Sequence, residues 1–106
     1  MPSTITRYYY SSPIGDFIHQ DAPAIVGELV RQSAHDITIN QRNAWQEEID
    51  LLKDILKEYA GRGSVYFEYN IPRLGRRIDA IVLIDGVVFI LEFKIDQGSF
   101  ERADIA

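Results

Sequence analysis

Asp79, Glu92 and Lys94 are the residues of this chain whose types and spacing best suit chemistry. Between two apolar runs lies Asp85-Gly86, a two-residue hairpin signal. With Ile84 and Val87 paired across that turn, counting back along both arms sets Asp79 opposite Glu92 and Arg77 opposite Lys94. Directly opposed side chains stand roughly 4.5–5.5 Å apart at Cβ. Strand alternation puts Asp79, Glu92 and Lys94 on one face. Two facing carboxylates in an apolar hairpin repel each other, and a hard divalent cation, Mg²⁺ or Mn²⁺, relieves that repulsion. Such a cation lowers the pKa of a bound water and stabilises charge on a phosphate. Lys94 can orient the attacking water or neutralise the transition state. The competing reading is a structural ion cluster on a solvated sheet face. Ile81, Leu83, Val88 and Ile90 share that face and argue for burial instead.

The elements that must hold these residues follow from periodicity. A helix is predicted from about Gln41 to Tyr59, capped by Thr38 or Asn40 and ended by Gly61 and Gly63. Trp45, Ile49, Leu51, Leu52, Ile55, Leu56 and Tyr59 form its apolar arc, with Lys53 and its charged neighbours opposite. Glu48 falls inside the apolar arc, where an unpaired carboxylate is costly. A partner, a cation or a shifted pKa is therefore expected there, and Glu48 can approach the Asp79 site from this helix. Strands are predicted at Val65–Asn70, Arg77–Ile84 and Val87–Ile95, the last two apolar enough to be covered on both faces. Asp96-Gln97-Gly98 breaks the last strand, and Ser99 can cap a further helix. Nearer the start, Tyr8-Tyr9-Tyr10 suits a short strand and Ser11-Ser12-Pro13-Ile14-Gly15 a turn. Asp21-Ala22-Pro23 opens a helix running to about Ala34. The expected fold is α/β (α+β): a small mixed sheet packed on the Gln41–Tyr59 helix. Residues 1–39 form a helical extension and residues 40–106 the core.

The spacing Asp79 … Glu92-Phe93-Lys94, after a helix with a buried Glu48, resembles the PD-(D/E)xK nuclease superfamily over roughly residues 40–106. The resemblance implies a restriction-endonuclease-like core in which a helix packs on a three-strand meander. By position Asp79 corresponds to the motif aspartate, Glu92 and Lys94 to the E-x-K pair, and Glu48 to the helix glutamate of many members. It implies metal binding by Asp79, Glu92 and Glu48, with Lys94 as a further catalytic residue. Ile78-Asp79 stands where the motif has Pro-Asp. The helix after E-x-K and a fourth strand are absent, so the core reads as truncated before both. A narrower resemblance rests on Tyr10–Phe17, Trp45-Gln46-Glu47-Glu48, Glu68-Tyr69-Asn70-Ile71-Pro72-Arg73, Arg77-Ile78-Asp79 and Ile90-Leu91-Glu92-Phe93-Lys94. These segments look like the N-terminal nuclease-like region of prokaryotic proteins carrying a Schlafen-type DNA/RNA helicase domain downstream. No Walker A loop occurs in this sequence.

Bulk properties narrow the function further. A net charge of -5 argues against a protein that coats nucleic acid through a general basic surface. It is compatible with a locally acidic cation site. Arg73, Arg76 and Arg77 lead into that site and are the candidate phosphate contacts. His19 and His35 lack ligand-like spacing, and the absence of cysteine excludes thiolate-metal sites. There is no apolar run of membrane-spanning length and no signal peptide at Met1–Ile5, so a cytoplasmic setting is expected. The expected activity is Mg²⁺- or Mn²⁺-dependent hydrolysis of phosphodiester bonds in DNA, as part of a larger DNA-processing protein. The alternative is a catalytically silent nuclease-like module that binds nucleic acid or protein. A hairpin apolar on both faces with too little chain to cover it also predicts a homodimer or domain-swapped oligomer.

Overall fold

The computed structural model of the chain describes residues 7–33, 36–96, 99–100 and 104–105. His35, Met1–Ile5, Gln97 and Gly98 lie outside them. The order is β1 (Tyr10–Pro13), α1 (Ile14–Phe17), α2 (Ala22–Gln32), α3 (Ile39–Leu56), β2 (Gly63–Ile71), β3 (Arg76–Ile84) and β4 (Val87–Glu92). The two-residue strands β5 (Ile95–Asp96), β6 (Ser99–Phe100) and β7 (Asp104–Ile105) follow. The main sheet runs β1-β2-β3-β4-β7 and is antiparallel throughout, not mixed as the sequence suggested. No helix among the described residues is long and apolar enough to cross a membrane.

α3 starts at Ile39, two residues before the expected Gln41, and of the two caps the sequence offers Thr38 is the one used. The Thr38 hydroxyl accepts a hydrogen bond from the Gln41 amide at 3.1 Å, satisfying one of the free donors of the first turn. The α-helix ends at Leu56 and a single 3₁₀ turn, Lys57–Tyr59, carries the chain to Gly61. Trp45, Ile49, Leu52 and Leu56 are buried against Val65, Phe67, Ala80 and Val82 of the sheet. Alternation explains the sheet side of that contact: Val65 and Phe67 share one face of β2, and Ala80 and Val82 one face of β3.

The N-terminal residues are part of this core rather than an appendage to it. Tyr10–Pro13, expected partly as a turn, is a strand paired with Ser64–Phe67 on the free side of β2. Ile14 and Phe17 of α1 and Ile25, Val26 and Leu29 of α2 join the same hydrophobic cluster. Lys53, expected on the solvent arc of α3, instead reaches across to α1. Its ammonium donates to the Phe17 carbonyl at 3.0 Å and to the Gln20 carbonyl. That contact ties α3 to the end of α1 and to the loop that follows it.

The hairpin turn behaves as its residues dictate. Asp85 and Gly86 have φ of 51° and 83°, the paired positive values that fit a tight turn to the sheet twist. The register runs from Ile84↔Val87 to Ala80↔Leu91, as expected, and stops there. β4 ends at Glu92, so Lys94 lies past the strand instead of within it. The helix expected after Ser99 is replaced by extended chain: Ser99–Phe100 pairs with Ile95–Asp96, so these backbone groups are satisfied in a ladder.

Apolar surface is left open on both faces of the hairpin. Ile55, placed by its period in the apolar arc, is 48% exposed, and Val87, Val88 and Phe89 are 53%, 58% and 37% exposed. Ile55, Val87 and Phe89 border a groove of about 420 Å³ between α3 and the β3–β4 hairpin. Nor is the Asp79 face of the hairpin buried: Ile81, Leu83 and Ile90 are half-buried and Val88 is exposed.

Candidate functional site

The chemistry-bearing residues gather where two ladders of the sheet are interrupted. On one side of β3 the pairing with β4 ends at Ala80↔Leu91. Beyond it, the Phe93 backbone N–H donates to Asp79 Oδ2 at 2.9 Å. A side-chain carboxylate has taken a donor that continued strand pairing would have used, and this turns the chain out of register with β3. On the other side of β3, Phe67↔Ala80 and Tyr69↔Ile78 pair, but Glu68, which stands opposite Asp79 between them, does not.

Glu68 has a φ of 56°, a left-handed conformation that is uncommon for a side chain larger than glycine. Its carboxylate accepts a hydrogen bond from the indole N–H of Trp45 at 3.2 Å. The kink in β2 therefore directs Glu68 toward α3, and a buried tryptophan holds it there. Burial pushes the Glu68 carboxyl up, the Trp45 bond pulls it down, Asp79 raises it further and Arg77 lowers it, with a net rise.

Glu48 is the third carboxyl. It is only 5% exposed, and its Oε1 is buried with no hydrogen-bond partner. Burial first, and then the negative charges of Asp79, Glu68 and Glu47, push its pKa up to about 9. Asp79 is also raised, chiefly by burial. The Phe93 N–H bond opposes that rise, Glu92 adds to it and Arg76 opposes it. Glu48, Glu68 and Asp79 thus sit in one electrostatic neighbourhood: Asp79 makes both glutamates harder to ionise, and Glu68 does the same to Glu48.

Glu92 and Lys94 are placed differently from the expectation. Glu92 does not face Asp79 in the ladder; its carboxylate is bound by the Arg76 guanidinium. Lys94 is exposed beyond the end of β4. Of the candidate phosphate contacts, Arg76 is engaged with Glu92, and Arg77 lies over the Tyr9 ring at 4.7 Å from its centroid. Arg73 is exposed in the 3₁₀ turn Pro72–Leu74. Among the described residues no group of three or more His, Cys, Asp or Glu side chains converges closely enough to hold a metal ion.

Glu48 Oε1 is a buried acceptor with nothing to accept from, and an acceptor in that state costs free energy that a cation would offset. Glu68 is the residue that sequence reasoning passed over. The signal was faint: it is the sole acid in the arginine-rich stretch from Gly61 to Arg77. Compared with known proteins, the chain matches no protein-family model, no curated protein and no solved structure.

Proposed function

We propose that this chain is a nuclease domain of the PD-(D/E)xK kind, acting on DNA with Mg²⁺ or Mn²⁺ and working within a larger protein that carries a helicase domain. The observation that carries the reading is Glu48: a buried carboxyl with an orphaned oxygen, set beside Asp79 where the β3–β4 ladder opens. Asp79 and Glu48 would hold the cation, with Glu92 joining them on release from Arg76. When bound, the cation would supply Lewis-acid activation of water and neutralise charge on the phosphate. Lys94, two residues past Glu92, orients the attacking water and offsets negative charge in the transition state. The water oxygen forms the new bond to phosphorus as the bridging phosphorus–oxygen bond breaks, and the departing oxygen takes up a proton. Arg73 is free of the contacts that occupy Arg76 and Arg77 and suits a phosphate of the substrate. Nicking of supercoiled plasmid tests the reading: cleavage with Mg²⁺ or Mn²⁺, none in EDTA, and none by Asp79→Asn. The asparagine oxygen can still accept from Phe93 N–H, so the fold is kept. If the full-length protein binds DNA but never cuts it, the domain is a catalytically silent module, an outcome the Arg76–Glu92 pair would then explain.

A second copy of the chain is the partner proposed for the open hairpin. Only Leu91 and Glu92 of β4 have a partner on the side away from β3, leaving the backbone edge from Val87 to Ile90 unpaired among the described residues. That edge carries no charge and no proline, the devices that normally keep edges apart. Two copies meeting antiparallel about a two-fold axis satisfy the same backbone groups on both sides. Light scattering at micromolar concentration should give a dimer, and Val88→Lys should give a monomer. A wild-type monomer that binds no hydrophobic dye would contradict this.

A further inference from the structure

The tyrosines near the candidate site form a second feature that the cation site does not use. Val65 and Phe67 face the core, so alternation places Tyr66 on the opposite face of β2. Tyr8 and Tyr69 meet it there. The Tyr8 and Tyr66 ring centroids are 5.4 Å apart, edge to face, and Tyr66 and Tyr69 are 6.1 Å apart at 89°. Tyr8 and Tyr69 lie 6.3 Å apart with planes only 25° from parallel. All three rings are half-buried and none belongs to the hydrophobic core. Core packing therefore does not account for three adjacent aromatic rings at this position.

Arginines flank the rings. Arg7 and Arg73 line a shallow depression with Ile71 and Pro72, and the Arg7 carbonyl accepts from the Asn70 amide at 2.6 Å, fixing that segment to the end of β2. Arg77 stacks on Tyr9, next to Tyr8 in the chain. In a chain of net charge -5, this is a local concentration of exposed cations beside half-buried aromatic rings.

We infer that Tyr8, Tyr66 and Tyr69, with Arg7, Arg73 and Arg77, form a binding surface for single-stranded nucleic acid. Aromatic side chains stack on unpaired bases, whose faces are open, and guanidinium groups track the phosphates between them. In a duplex those faces are already stacked and out of reach. The rings and the Asp79 face are linked through the sheet: Tyr66 pairs in register with Ile81, which shares the Asp79 face of β3, and Arg77 is near enough to lower the Glu68 carboxyl. A strand lying across the rings leads to the Asp79 region. The inference names the substrate class of the proposed cation site and in that respect rests on that reading, but binding itself needs no metal.

Fluorescence anisotropy in EDTA tests it, with a labelled oligonucleotide of about 12 nucleotides presented single-stranded as DNA, single-stranded as RNA, and as DNA duplex. Single strands should bind at least about tenfold more tightly than duplex, and DNA and RNA about equally, because the rings read base faces. Tyr66→Ala and Tyr69→Ala should each weaken binding at least about fivefold, whereas Tyr66→Phe keeps the ring and the affinity. Arg73→Ala, at an exposed turn, should reduce the salt slope by about 1. Circular dichroism verifies that each variant is folded. Duplex binding as tight as single-strand binding, or unchanged affinity in folded Tyr66→Ala and Tyr69→Ala, overturns the surface. Single-strand binding lost in these variants, from a protein that shows no metal-dependent cleavage, upholds the surface and removes only the nuclease reading.

Discussion

Lys94→Ala is expected to lower phosphodiester cleavage by about 10²-fold or more while leaving DNA affinity within about threefold. The asymmetry follows from position. Lys94 lies beyond the end of β4, exposed and outside the hydrophobic core. On the proposed reading its ammonium contributes little to holding a strand. Its value lies in charge that develops only as the water attacks, where a positioned cation is worth far more than in the ground state. Cleavage measured at saturating substrate separates the two effects. Lost affinity with unchanged turnover would make Lys94 a substrate anchor and leave the activation of water to other groups.

Glu48→Gln should change the pH dependence of stability in the metal-free protein by a comparably large amount. The folded-state pKa of Glu48 is raised to about 9, well above the ordinary glutamate value of 4.5. The folded chain keeps the proton that the unfolded chain gives up, so stability is greatest below about pH 4.5 and is lost as pH rises toward 9. The loss is about 1.4 kcal/mol per pH unit within that window, or about 3 kcal/mol by pH 7. Glutamine has no proton to lose. Unfolding by urea in EDTA should therefore show Glu48→Gln gaining on the wild type by about 3 kcal/mol between about pH 4.5 and about pH 7. Asp79 and Glu68 shift in the same direction in both proteins, and because folded wild-type Glu48 is uncharged up to about pH 7, as glutamine is, their contribution nearly cancels in the comparison. Parallel pH profiles would mean that Glu48 is neutralised by some other group and is not an empty acceptor.

Much of the frame that holds these groups was legible in the sequence because it depends on local pattern. Thr38 caps α3, Asp85-Gly86 turns the hairpin, and the register from Ile84↔Val87 to Ala80↔Leu91 follows from that turn alone. Helix phase also put Glu48 among apolar neighbours, where it lies. What could not be read is where local rules yield to competition. Extending the register to Asp79 and Glu92 assumed that backbone pairing continues, but Asp79 takes the Phe93 N–H and Arg76 takes Glu92. Nothing in the spacing announces that a glutamate in mid-strand will adopt a positive φ, as Glu68 does to reach Trp45. The pairing of Tyr10–Pro13 with β2 joins segments far apart in the chain, and a short polar strand carries no periodic signal of its own. The fully covered hairpin expected from its apolar residues fails for a related reason. Apolar character shows what would gain from burial, not whether chain is available to bury it, and Val87 and Val88 remain exposed.

The proposed nuclease activity requires the carboxyls around Asp79 to bind a divalent cation. Titration of Mn²⁺ into wild type, Asp79→Asn and Glu48→Gln, followed by water-proton relaxation without nucleic acid, tests this most directly. One weak site in the wild type, weakened at least about tenfold in each variant, is the predicted result. Equal Mn²⁺ binding by all three proteins would contradict it, and would leave Glu48 as a buried acid with no catalytic partner.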